Sequence, residues 1–418
     1  MQQLPLRARL TAMNFLEFAV WGAYLTSLGT YLAQHGLGPN IGWFYVVQGI
    51  VSIFMPGLVG IVADRWIPAQ RLLGLCHLLA GGFMLAAGCY ALRAGSAVEM
   101  APLFTLYTLS VAFYMPTLAL SNAVAFNGLT RAGLDTIKDF PPIRVFGTIG
   151  FICTMLAVNN CGIQASPHQL LLSGALSIVL AAYAPTLPGC PTSPRGEAKT
   201  IAEAMGLHAF KLFRQRRMAI FFIFSMLLGV SLQITNGYAN PFITSFKDIP
   251  EFANTFGANN ANALISLSQV SETCCILMIP FFLKRYGIKR VMMIAMLAWV
   301  LRFGLFGAGN PGTGVWMFVL SMIVYGVAFD FFNISGALFV DRNTKGEIRS
   351  SAQGLFMIMT NGLGAAIGTF AAQKVVNHFV YNDAVIDKLA GWRACWFIFA
   401  GYSLAVLLLF ALIFRERR

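Results

Sequence analysis

The sequence predicts an all-α membrane protein that crosses a bilayer twelve times. Three observations carry that expectation. The 418-residue chain is 57% hydrophobic and only 11% charged, against roughly 25% charged in ordinary soluble domains. Its mean hydropathy is +0.70. Apolar stretches near the ~20 residues that a helix needs to cross a membrane recur along its whole length. They fall at about 9–34, 41–63, 71–92, 101–127, 141–159, 167–187, 218–246, 259–283, 289–308, 313–340, 350–376 and 393–414. The first belongs to "MQQLPLRARLTAMNFLEFAVWG", where Glu17 interrupts the apolar run and no small-residue cleavage site follows. It reads as a retained span, not a signal peptide.

The basic residues set the orientation, because cytoplasmic loops retain Lys and Arg. With both termini inside, the external side keeps only Arg93, Lys247, Lys374, Lys388 and Arg393, while Arg144 and Arg302 lie within or at the ends of spans. All other Lys and Arg fall on the cytoplasmic side, so the net charge of +13 is a topology signal and does not point to nucleic acid. The eight cysteines lie mostly inside spans without paired ligand spacing, which supports neither a zinc site nor a disulfide framework. No cofactor motif and no catalytic constellation are read.

Loops are short except for 188–217, "PGCPTSPRGEAKTIAEAMGLHAFKLFRQRR", which opens with turn formers and closes with an amphipathic basic stretch. It divides the chain into an N-terminal six-helix bundle over 1–187, a cytoplasmic linker with an amphipathic helix over 188–217, and a C-terminal six-helix bundle over 218–418. The loop after the second span, "GIVADRWIPAQR" (60–71), has a faint counterpart after the eighth, "PFFLKRYGIKR" (280–290), with Gly60, Arg65 and Trp66 matching Pro280, Arg285 and Tyr286. "GAAIG" (364–368) suits close helix packing. "NIS" (333–335) matches a glycosylation sequon but falls inside a span.

Ionisable and amide side chains inside spans are the functional suspects, since a charge at the bilayer centre costs roughly 2.5–3.5 kcal/mol and ordinarily faces a cavity or a partner. Three acids qualify: Glu17, Glu272 and Asp330. At 1.5 Å per residue the last two lie roughly 20 Å from the external start of their spans. Around them, polar residues recur at helical spacing: Gln233, Asn236 and Asn240 on the seventh span, Gln269 and Glu272 with Ser266 and Thr273 on the eighth, and Tyr325, Phe329, Asp330 and Asn333 on the tenth. The first span carries Asn14, Glu17 and Trp21, and the fourth Tyr114, Thr117 and Ser121. Amides and carboxylates suit a solute with hydroxyl and imide groups, and aromatic faces suit a planar ring. A sugar would satisfy the same set.

Each suspect has a plainer reading. Asp330 and Glu272 can be paired structurally, and Glu17 can lie near enough to the cytoplasmic side to be hydrated. Arg144 can snorkel at the interface. Arg302 can balance a buried acid or mark the polar side of its helix, and the amide stripe can tie helices together. An enzyme embedded in the membrane is disfavoured, because His35, His77, His168, His208 and His378 are scattered near span ends or loops and form no His–acid pair.

"GIVADRW" resembles the Gly-x-x-x-Asp-Arg turn of major facilitator superfamily transporters. "DFPPIRVFGTIGF" (139–151), "MAIFFIFSMLLG" (218–229), "LQITN" (232–236), "RYGIK" (285–289), "SMIVYGVAFDFFNISG" (321–336) and "SAQGLF" (351–356) together resemble the bacterial nucleoside:proton symporter family within it, nearly end to end. The resemblance implies a major facilitator fold of two six-helix halves that rock about a central site in the bacterial inner membrane. It implies proton-coupled uptake of nucleosides such as uridine and adenosine by a monomer surrounded by lipid, with an acid neutralised from outside before the nucleoside binds. Residue by residue, it implies substrate contacts from Arg144, Thr148, Phe151, Gln233, Asn236, Gln269, Glu272, Tyr325, Phe329 and Asp330. It leaves Asp330, Glu272 and Glu17 as proton-coupling candidates and Asp64 with Arg65 as a cytoplasmic gate. Glu17 departs from the glutamine that the resemblance leads one to expect. The alternative is a transporter of another small polar solute, a sugar or a drug, on the same fold.

Overall fold

The computed structural model describes residues 3–190, 207–344 and 349–414, and every expected span falls on helix. In chain order the helices are α1 (Gln3–Gly22), α2 (Leu28–Gln34), α3 (Ile41–Arg65), α4 (Ala69–Ala94), α5 (Met100–Tyr114), α6 (Thr117–Arg131), α7 (Thr136–Asn160) and α8 (His168–Tyr183). They continue with α9 (Arg216–Leu232), α10 (Ile234–Ser245), the single turn α11 (Phe256–Asn259), α12 (Ala261–Ala308), α13 (Val315–Asn343), α14 (Arg349–Met357), α15 (Ala365–Phe379) and α16 (Lys388–Ile413). Among the described residues, ten helices are long and apolar enough to cross a membrane by length and composition alone. α1 carries Arg7, Arg9, Asn14 and Glu17, and the first half of α12 carries Asn262, Gln269 and Glu272.

Among the described residues four spans are interrupted: the first breaks between α1 and α2, and three others break next to polar residues. The fourth breaks at Met115–Pro116 between α5 and α6, where proline supplies no N–H to the helix ladder. The seventh breaks at Gln233, which ends α9 and starts α10. The eleventh passes through a π-helical segment, Ile358–Gly364, between α14 and α15. Breaks of this kind free main-chain groups inside a bundle and recur at functional positions. The apparent 48-residue α12 is two helices joined at Gly287, whose φ of 76° is left-handed and suits only glycine without strain.

The chain forms two compact units, one of 1–31 with 50–205 and one of 32–49 with 206–418. In the first, α1 packs on α7 and α8, and α4 on α5 and α8. Glycines set the α1–α7 crossing: a Cβ on Gly22 would lie 2.8 Å from the Phe151 main chain, one on Gly147 2.7 Å from Phe18, and one on Gly150 2.9 Å from the Phe15 carbonyl carbon. In the second unit, α12 packs on α13 and α16, and α9 on the π-helical segment and α15. The "GAAIG" glycines do the expected packing, since Gly364 and Gly368 lie against the main chain of α9 at Met226 and Val230. Large apolar side chains such as Leu404, Leu408, Leu409 and Leu412 of α16 point outward, as a lipid-facing surface requires.

α3 reaches Arg65, but the side chains of Asp64 and Arg65 lie outside the described residues, so their expected gate has no structural account. Within the linker, 191–206 likewise lies outside them. Leu207–Arg214 is a 3-10 helix that buries Ala209 and Leu212 and carries Lys211 and Arg214.

Replacing Gly150 with alanine is expected to destabilise the detergent-purified protein by about 1–3 kcal/mol, the cost of overpacking. Gly82, with nothing within 4 Å of its would-be Cβ, is expected to gain up to about 1 kcal/mol from the same change. Thermal unfolding of the two variants side by side checks the α1–α7 crossing, and equal stabilities would contradict it.

Candidate functional site

The suspects of the second unit gather where α12 crosses α13. At Gly326 a Cβ would lie 2.6 Å from the Ser271 main chain, and the Ser271 hydroxyl donates to the Ile323 carbonyl. That close approach sets Glu272 beside the start of the aromatic stripe. Tyr325 and Phe329, one turn apart, are stacked at 5.6 Å with 13° between their planes. The Arg302 guanidinium stands 4.4 Å over the Tyr325 ring and donates to the Ser321 carbonyl at 2.8 Å, while Trp299 meets Tyr325 edge-on at 6.0 Å. Tyr325 is thereby immobilised, and Phe329 is the aromatic face left half-buried.

Asp330 is 4% exposed, and its Oδ2 has no hydrogen-bond partner among the described residues. Glu272 is near enough for its charge to act on both Asp330 and Tyr325. A recess lined by Leu228, Leu232, Trp299, Phe329, Phe332 and Asn333, among others, has a cavity volume of about 10 Å³, room for about one water molecule and not for a solute ring. Beside Leu232 lies Gln233, whose Oε1 accepts a 2.8 Å hydrogen bond from Asn236. The third member of that amide stripe behaves differently. Asn240 is fully buried, donates to Asn262 of α12 at 2.6 Å and accepts from Thr244, so it ties helices together.

The first unit holds a second polar cluster. Glu17 and His77 are both 0% exposed, and Oε2 of the acid lies 2.9 Å from Nε2 of the ring. Thr117 Oγ1 stands 2.5 Å from Glu17 Oε1, the Tyr114 hydroxyl donates to the Glu17 main-chain carbonyl at 2.8 Å, and His77 Nδ1 lies 2.9 Å from Ser177 Oγ. Arg144 stands 3.9 Å over the Phe18 ring, with Thr148 half-buried and Phe151 buried on the same helix.

Against this geometry stand the comparisons with known proteins. The family described as "Nucleoside H+ symporter" matches residues 4–418. The chain belongs to the nucleoside H+ symporter family. It is 45% identical over 410 residues to the xanthosine permease of Escherichia coli, covering 97% of this chain and 95% of that one. It is 44% identical over 417 residues to the E. coli nucleoside permease NupG, covering 99% and 97%. A crystal structure of the nucleoside transporter NupG superposes with a TM-score of 0.89 at 43% identity, covering 99% of this chain and all of that one. A D-xylose–proton symporter at 13% identity and a TM-score of 0.68 shares the fold alone. The nucleoside H+ symporter fold seen here is thus the major facilitator fold, and the relatives named are permeases, not enzymes.

Three expectations need correction. Glu17 is not hydrated from the cytoplasmic side but fully enclosed. Arg302 balances no acid among the described residues; its nitrogens meet Ser268 and Ser321 and its plane meets aromatic rings. A His–acid pair does exist, because His77 lies well inside α4 and not at a span end. A histidine in the run "LGLCHLLAGG", facing a span with its own buried acid, was the available signal.

Asn240→Ala is expected to cost about 1–3 kcal/mol by removing its buried hydrogen bond to Asn262, seen as a lowered unfolding temperature. Gln233→Ala and Asn236→Ala, whose amides are not fully committed to other helices, are expected to shift unfolding less. A reversed order would mean that the pair at 233 and 236 is the structural one.

Proposed function

We propose that this protein takes up nucleosides together with protons across the bacterial inner membrane by alternating access, as a monomer with both termini in the cytoplasm. The observation that carries the reading is the buried, unpartnered Oδ2 of Asp330 beside a stacked Tyr325–Phe329 pair, in a chain of the nucleoside H+ symporter family. A buried acceptor without a donor costs about 1–3 kcal/mol, and a ligand hydroxyl that supplies the donor recovers it. Asp330 accepts from the ribose, the base lies on the half-buried face of Phe329, and Tyr325 holds that ring from behind with Arg302 as its clamp. Gln233, Asn236, Gln269 and Glu272 supply the donors and acceptors that read the base and sugar edges. Arg144, Thr148 and Phe151 are assigned to the same task from the first unit. The bias of Lys and Arg toward one set of loops supports the orientation, and the permeases of E. coli among the relatives support the inner membrane.

Proton coupling needs an acid whose charge changes during the cycle, and Asp330, Glu272 and Glu17 are the acids within spans. Asp64 and Arg65 are proposed to latch the cytoplasmic side. The amide and aromatic set would serve a sugar as well, and what favours a nucleoside over a free sugar is the match to the nucleoside H+ symporter family.

Radiolabelled uridine uptake into cells lacking their own nucleoside permeases tests this directly. Accumulation is expected above background and is expected to collapse when an uncoupler is added. Asp330→Asn is expected to lower apparent affinity by roughly 10- to 100-fold, the loss of a hydrogen bond to a charged group. Equal competition by ribose and by uridine, or undiminished accumulation in Asp330→Asn, would overturn the assignment.

A further inference from the structure

The Glu17–His77 pair lies outside the solute contacts just proposed, and its surroundings are unusual for a structural pair. Ser177 Oγ lies 2.9 Å from His77 Nδ1 and also 2.9 Å from the His77 main-chain carbonyl. A hydroxyl has one hydrogen to donate and two lone pairs with which to accept, so these two contacts exchange roles by rotation of a single O–H bond. Thr117 has the same freedom, with Glu17 Oε1 at 2.5 Å and the Tyr114 carbonyl at 2.6 Å.

We infer that Glu17 and His77 together form a proton-binding site in the first unit. In the loaded state the ring is an imidazolium: Nε2–H donates to Glu17 Oε2, Nδ1–H donates to Ser177 Oγ, and the Ser177 hydroxyl turns to the His77 carbonyl. On release, in a state of the transport cycle that opens the pair to water, the Nδ1–H bond breaks and the proton passes to that water. Its electron pair stays on Nδ1, which then accepts from the Ser177 hydroxyl, while Nε2–H still donates to the Glu17 carboxylate. One proton enters or leaves, the hydrogen bonds of the pair are remade by rotation of the Ser177 O–H bond, and no buried donor or acceptor of the pair is stranded in either state. The loaded pair is neutral and the released pair carries one negative charge, which an apolar bundle penalises, so proton occupancy is tied to how the first unit is arranged. The titratable and charged side chains facing the pair are Cys76 of α4, Tyr114 of α5 and Arg144 of α7, which acts on Tyr114. α6 and α8 contribute the hydroxyls of Thr117 and Ser177.

This inference rests on the transport reading and adds the residue that shares the proton with Glu17. Two measurements test it. Protein carrying ring-labelled ¹⁵N-histidine is followed by NMR in nanodiscs across about pH 5 to 8, the range in which an imidazole ordinarily changes charge, with the His77 signal assigned by its loss in His77→Gln or, if that variant does not fold, by the response of the ring to Ser177→Ala. The His77 ring is expected to switch between doubly protonated and Nε2–H forms, and Glu17→Gln is expected to remove the switch. The number of protons entering with each uridine, measured in proteoliposomes, is expected to fall by about one in Glu17→Gln and in His77→Gln, because each variant removes the one proton that the pair exchanges. A ring fixed in one form throughout, or variants that carry as many protons per uridine as the parent, would overturn the site. Failure of the parent to move uridine at all would instead sink the transport reading, while leaving the histidine titration readable.

Discussion

A carboxylate is costly inside an apolar helix bundle. Water is absent there, and a lone charge is worth several kcal/mol against folding. The two units meet that cost in different ways. The Glu17 carboxylate meets donors from two other helices, the ring of His77 and the hydroxyl of Thr117, while the Tyr114 hydroxyl holds its main-chain carbonyl. Asp330 has aromatic neighbours and one oxygen that nothing described satisfies. Burial is alike at the two positions, and satisfaction is not.

Glycine is what allows such clusters to form. Side chains from different helices reach one another only if the backbones approach closely, and in both units the approach is set by residues without a Cβ. Gly22, Gly147 and Gly150 let α1 lie against α7, which brings Arg144 over Phe18. Gly326 lets α13 press on Ser271, one residue before Glu272. The breaks at Pro116 and Gln233 act in the same sense: they turn a helix just where Thr117 and Asn236 must point inward. The packing devices and the polar clusters are therefore one design, and a change at either is felt at the other.

Much of this was legible from residue order. Hydropathy placed every span, and the spacing of Asn14, Glu17 and Trp21 on one helix and of Tyr114 and Thr117 on another identified stripes that do meet. The spacing of Tyr325 and Phe329 identified a stack. What periodicity does not carry is which stripe faces which. Gln233, Asn236 and Asn240 share a helical face, yet Asn240 bonds to Asn262, twenty-two residues further on, while Asn236 bonds to Gln233. His77 was misjudged for a related reason: its distance from the start of a span was read as shallow, while its partner Glu17 lies a separate helix away. Arg302 was expected to seek an acid because charge suggests charge; the structure answers with aromatic faces, to which a planar and weakly hydrated guanidinium is equally suited.

The contrast between the two acids separates two tasks that a symporter must perform. A carboxylate that waits for a ligand must be left short of donors, so that the solute completes it; Asp330 meets that description. A site that exchanges a proton must instead be complete both before and after, or the exchange would strand a buried group and be opposed by roughly the same 1–3 kcal/mol that a solute gains by filling a vacancy. Glu17 with His77, Ser177 and Thr117 meets that description, because each hydroxyl has a second acceptor within reach. An acid that served both tasks at one atom would make solute and proton rivals for the same lone pair. Dividing the tasks between an unfinished site and a finished one removes that rivalry, and the chemistry of the two clusters, more than their burial, argues for the division.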